Sequence, residues 1–143
     1  MTSLSRARAR LEHVTGLSAI MDAAYDAFED LLAVIREHED PASSLFAAFM
    51  FAAASAADGR DAILFAPSLP PTGNGDRLTA LAGAGAEISL EEVADAAAGL
   101  GHLLAGRLLE AGQAAADPGD RSACLGAARC AENICGLLRR SGP

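Results

Sequence analysis

LSRARARLEHVTGLSAIMDAAYDAFEDLLAVI, residues 4–35, is the stretch whose periodicity decides the fold. Leu4, Ala7, Leu11, Val14, Ser18, Met21, Tyr25, Phe28, Leu32 and Ile35 follow one another at alternating steps of three and four residues, and Ser18 alone among them is polar. An α-helix closes a turn every ~3.6 residues, so this spacing sets one side chain per turn on a single face. The stretch predicts one long first helix over residues 3–37. From Leu17 onward further apolar stripes join it (Leu17, Ala24, Leu31 and Ile20, Ala27, Val34), so its second half is expected to be buried on most sides. One strip there stays polar: Asp22, Asp26, Glu29, Asp30 and Arg36. The first half, with Arg6, Arg8, Arg10, Glu12 and His13, is far more polar. Gly16 stands at the change of character, where a kink or break would fall.

Working outward, Asp40-Pro41 reads as an N-cap followed by proline at the first helical position, where its missing N–H costs nothing. It predicts a second helix over 41–57, stopped by Asp58-Gly59. So short a connection makes the first two helices an antiparallel hairpin. Ser89 and Glu92 form an S-x-x-E capping box for a third helix over 90–116. Asp117-Pro118 repeats the cap and starts a fourth over 118–140. Residues 59–88 are left as a crossover much longer than the two to eight residues usual between bundle helices. Residues 62–65 are a short apolar run within it, Pro67, Pro70, Pro71 and Thr72-Gly73-Asn74-Gly75 preclude a continuous helix, and residues 77–84 suggest a brief helical turn. The expected architecture is all-α: a single domain over 1–143, a four-helix bundle built from two antiparallel helical hairpins with a long crossover between helices 2 and 3.

Composition agrees and narrows the function classes. About a quarter of the 143 residues are alanine, the best helix former, and all positive charge is arginine. Such a skew fits a GC-rich bacterial coding sequence. A chain of this length buries roughly 70% of its unfolded surface. The net charge of −8 opposes binding to nucleic acid or an anionic membrane. The most apolar run, LFAAFMFAAASAA at 45–57, is shorter than the ~20 residues that span a bilayer. The amphipathic start does not read as a signal peptide. Three cysteines, Cys124, Cys130 and Cys135, are an odd set that suggests reduced thiols and a cytoplasmic setting.

No constellation of reactive residues stands out. His13, His38 and His102 match neither the Glu-x-x-His pairs of di-iron bundles nor the H-E-x-x-H of zinc helices. The cysteine spacings fit no zinc or CxxC pattern, and projection at 100° per residue puts Cys124 and Cys135 on a core stripe with Ala128, Ala131 and Leu138, with Cys130 at its edge. Gly99, Gly101 and Gly106 lack the preceding strand and third glycine of a dinucleotide loop and suggest close helix approach instead. Arg8 and His13 match the R-x4-6-H spacing of the small helical HEPN ribonucleases. In that family the pattern belongs to a late helix, whereas here it opens the chain, and no membership is claimed. The acidic strip calls for a counter-charge: Arg107, Arg121 or Arg129 from the second hairpin, a divalent cation, or a basic protein.

No catalytic residue, cofactor or metal is therefore assigned. At ~1.5 Å per residue the first helix would reach about 50 Å against about 25 Å for the second, so its start should overhang. The seam Leu4, Ala7, Leu11 and Val14 in that overhang predicts a homodimer interface. The leading function is a non-enzymatic cytoplasmic module acting through protein–protein interaction, an accessory, adaptor or regulatory protein. The alternative is a small-molecule binder or small enzyme with a pocket between the hairpins, lined by Tyr25, Phe28, Phe46, Phe49 and Met50.

Overall fold

A computed structural model describes the chain at residues 2–70 and 89–139. Among these residues the structure is all-α, with five helices and no strand: α1 (Ser3–His13), α2 (Leu17–Glu37), α3 (Phe46–Leu64), α4 (Leu90–Ala114) and α5 (Pro118–Leu138). Five helices replace the expected four because the long first helix is broken. Gly16 takes φ +91°, the one positive φ among the described residues, and the chain folds back so that α1 packs on α2 and α4. Leu4, Ala7 and Leu11 are buried by this move, Leu11 completely. Full burial of each leucine contributes about 1.5–3 kcal/mol, which offsets the few main-chain bonds lost at the break, about 0.5–1.5 kcal/mol each. The carbonyls freed at the end of α1 find a distant donor: Arg107 of α4 donates from Nε to the oxygen of Leu11 at 3.0 Å and from Nη2 to that of Val14. The overhang inferred for a continuous helix is thus absent, and its seam is covered from within the chain.

The second helix is also displaced from its expected bounds of 41–57. Asp40 and Pro41 form a turn rather than a helix start. The Asp40 carboxylate accepts the Ala42 N–H at 3.0 Å, and the Ser43 hydroxyl accepts the Leu45 N–H at 3.0 Å, so local side chains take the donors that a helix ladder would use. At its other end α3 runs straight through Asp58-Gly59, taking in most of the apolar run at 62–65 and burying Ile63. Gly59 is not a stop but a close-packing site: a Cβ there would lie 2.5 Å from Cζ and 2.9 Å from Cδ1 of the buried Phe28 ring. The crossover expected over 59–88 accordingly loses its first part to α3. The proline–glycine tract at 71–75 and the turn expected over 77–84 lie outside the described residues.

The caps of the last two helices follow local chemistry. Ser89 accepts the Glu92 N–H at 3.1 Å and Glu92 accepts the Ser89 N–H at 3.5 Å, the two halves of the capping box. Asp117 accepts the Gly119 N–H at 2.7 Å with Pro118 at the first helical position. α4 and α5 then run antiparallel: Gly112 faces Cys124 and Leu125 near the turn, and Gly101 faces Ala131, Ile134 and Cys135 farther from it. A Cβ on Gly101 would stand 3.0 Å from the Ala131 carbonyl oxygen, so this glycine does admit a neighbouring backbone. Gly106 has open space, and Gly99 faces the Arg8 guanidinium instead.

α2 packs on α3, α3 on α5, α5 on α4 and α4 on α2, and α1 closes the α2–α4 side. Alanines pave the interior and let these helices approach, while Met21, Phe28, Leu31, Phe49, Leu100, Leu104 and Ile134 fill it. One buried carboxylate ties three elements together. Asp120, 2% exposed in the first turn of α5, accepts the N–H and the hydroxyl of Ser68 at 2.9 and 2.6 Å. The Ser68 carbonyl in turn accepts the Ser18 hydroxyl of α2 at 2.9 Å.

Candidate functional site

The five residues expected to line a pocket differ in exposure. Phe28 and Phe49 are core residues, Tyr25 and Phe46 are half-buried, and Met50 points outward. Two surface grooves lie elsewhere. One of about 260 Å³ follows α4 at Asp95, Ala98, Gly99 and His102 and reaches Arg139. The other, about 470 Å³, follows α5 at Pro118, Arg121, Ser122, Leu125, Gly126 and Arg129. Neither includes a residue of the expected pocket. Of the expected interface, Leu4, Ala7 and Leu11 are buried and Val14 is packed against the same core.

The acidic strip finds its counter-charge, but not where the sequence pointed. Because α1 folds back, Arg10 reaches Asp22 at 2.6 Å and also pairs with Asp26, and Arg60 of α3 reaches Glu29 at 3.0 Å. Burial lowers the Arg10 pKa, yet its hydrogen bonds to Asp26 and Asp22 outweigh that and leave it raised. Arg60 is raised by its hydrogen bond to Glu29. Of the arginines considered for this role, Arg107 caps α1, Arg121 donates to the Ala115 carbonyl, and Arg129 is exposed. Among the described residues no three His, Cys, Asp or Glu side chains are placed to hold a metal ion.

His13 and His38 are engaged locally. Nδ1 of His13 lies 2.7 Å from the Ala9 carbonyl and Nδ1 of His38 lies 2.8 Å from that of Val34. A carbonyl only accepts, so Nδ1 carries the proton in both rings. The cysteines are free thiols. Burial pushes the Cys124 thiol up to about 11, with the charge of Asp120 adding to it. Cys130 is raised by burial and by Asp58, against the pull of Arg129. A thiol held protonated is a poor nucleophile, so alkylation of Cys124 should be slow in the native protein and fast after unfolding. The same shift has a sign for stability. The unfolded thiol ionises near 9 and the folded one near 11, so unfolding releases a proton between those values. The contribution of this thiol is constant below pH 9 and falls by about 3 kcal/mol as pH rises through the folded value. Urea midpoints on either side of this window, in the native protein and in Cys124→Ala, check it: the alkaline drop should shrink in the variant.

What sequence reading missed is the outer face of α3. Ala47, Met50, Phe51, Ala54, Asp58, Asp61, Leu64 and Phe65 are all exposed along it and beyond its end, with Phe51 at 60% and Phe65 at 82%. The run at 45–57 reads as a helix buried on most sides, because apolar residues occupy its whole circumference. Nothing in the local pattern marks which side faces solvent. No family model matches the chain, and neither does any curated protein or solved structure.

Proposed function

We propose that the chain is a non-enzymatic interaction module whose contact surface is the outer face of α3. The observation that supports this reading is the exposure of Met50, Phe51 and Leu64 along one helix, and of Phe65 at its end, while its inner face is already buried. Single exposed apolar residues are ordinary; aromatic side chains repeated along one face are the composition of interface cores. Phe51 and Phe65 are two of only five phenylalanines, and leaving both in water forgoes burial that the fold could have used. Asp58 and Asp61 lie between the two apolar clusters. The partner such a face fits is an apolar surface, of helical shape or flat, with a basic residue opposite Asp58, since Asp61 already pairs with Arg60 at 3.1 Å.

The test is site-specific photo-crosslinking in cells that make the protein, with the probe at Phe51, at Phe65 or at Asp95 on the opposite outer face. One discrete protein adduct at both α3 positions and none at Asp95 supports the reading; equal or absent labelling at all three sinks it. Phe51→Ser with Phe65→Ser should abolish an adduct formed from a probe at Met50 while changing stability by less than about 1 kcal/mol, as surface substitutions do.

A further inference from the structure

The apolar seam keeps its three–four step straight through the break: Leu11, Val14, Ser18 and Met21 are in phase across Gly16. A turn has no need of that phase; a continuous helix does. The folded-back form also gives up helical satisfaction at the hinge. Gly16 N-caps α2 without any side-chain hydrogen bond, and the last carbonyls of α1 rely on Arg107. Both deficits vanish if residues 3–37 form one helix. The cost would be the exposure of Leu4, Ala7 and Leu11, together with the α2–α4 groove that they now fill.

We propose that α1 can swing out to continue α2 and fill the α2–α4 groove of a second copy, giving a two-fold, helix-swapped dimer. Every contact of the closed form except the hinge is available again between copies, which is the condition for swapping. Arg10 pairs with Asp22 and Asp26, so α1 runs back antiparallel along α2. In the dimer the two long helices would therefore lie antiparallel, with the two-fold axis between Gly16 and Ser18 and the seams of the two copies facing each other. The same Arg10–Asp22 and Arg10–Asp26 pairs would then bridge the copies. Arg107 discriminates between the forms, because in a continuous helix the Leu11 and Val14 carbonyls accept from their own helix.

The experiment is Gly16→Ala, with mass in solution measured by light scattering over a range of concentrations. No atom lies within 4 Å of the added Cβ, so the substitution acts through φ alone. Alanine disfavours the positive φ of the closed hinge and favours the helix, by about thirtyfold per protomer, or on the order of a thousandfold in the dimer association constant. A dimer that appears with Gly16→Ala and disappears when Leu11→Glu is added is the expected result. A monomer at every concentration overturns the proposal, and so does a dimer that survives Leu11→Glu, since it would use another face. Arg107→Gln leaves the hinge residue intact and should shift the same equilibrium in the same direction; its failure to raise the dimer fraction also counts against the swap. None of these outcomes depends on the α3 surface.

Discussion

Leu11→Glu is expected to lower stability by about 3–5 kcal/mol, the cost of an uncompensated buried charge. Leu11 is fully buried where α1 meets the α2–α4 side, and the nearby cations are engaged: Arg10 with Asp22 and Asp26, Arg107 with main-chain carbonyls. The chain has one escape, which is to undock α1 and let the glutamate reach water. That route forfeits the burial of Leu4 and Leu11, about 1.5–3 kcal/mol each, and the Arg10 pairs besides. Both routes therefore cost a similar amount. They differ in appearance, since undocking leaves α2–α5 folded while hydrogen exchange in α1 becomes fast. Urea unfolding gives the magnitude and exchange gives the route. A variant whose unfolding midpoint is unchanged would show that α1 contributes nothing to the core. Leu11→Met serves as the control and should cost less than about 1.5 kcal/mol.

Gly59→Ala sets two effects against each other. In an exposed helix interior the change would stabilise by about 1 kcal/mol. Here the new methyl group would meet three atoms of the Phe28 ring, with Cζ at 2.5 Å. Phe28 is itself fully buried and has no room to retreat without moving its neighbours. Overpacking of this kind costs about 1–3 kcal/mol and occasionally more, so the net expectation is a loss of up to about 2 kcal/mol. Phe28→Leu should destabilise on its own yet restore much of the deficit when combined with Gly59→Ala. A double-mutant cycle should thus return a coupling within about 0.5–3 kcal/mol. A gain in stability for Gly59→Ala alone would mean that the ring yields freely and that α2 and α3 are less tightly packed there than the geometry requires.

Phe28 and Gly59 also illustrate how far the residues can be read in isolation. Each is legible by itself: Phe28 belongs to an apolar seam, and Asp58-Gly59 resembles a helix stop. Their meeting is not legible, because it depends on how α3 lies against α2. Once Phe28 needs a place for its ring, glycine is the residue that provides it, and the stop becomes a helix interior. The same holds for α3 as a surface. A helix with apolar residues all round has no periodic signal to say which side is covered, so the pattern alone does not reveal that Met50 and Phe51 are exposed. The acidic strip calls for cations on its face, but a straight helix carries Arg10 away from Asp22 and Asp26, and only the break brings it to them.

The residues alone determined the all-helical class, the core stripes of α2 and α5, the capping box at Ser89 and the cap at Asp117. Each of these rests on partners within four positions or on a periodicity of 3.6, and both are properties of a local chain. The residues marked Gly16 as the place for a break, but only the tertiary structure decided that the helix does break there, that α3 begins at Phe46 and passes through Gly59, and which face of α3 meets water. Those outcomes depend on partners such as Arg107 and Leu11, 96 positions apart, or Ser68 and Asp120, 52 apart. A helix breaks where burying its end against the rest of the fold outweighs the main-chain bonds it gives up, and that balance exists only after the other helices have taken their places.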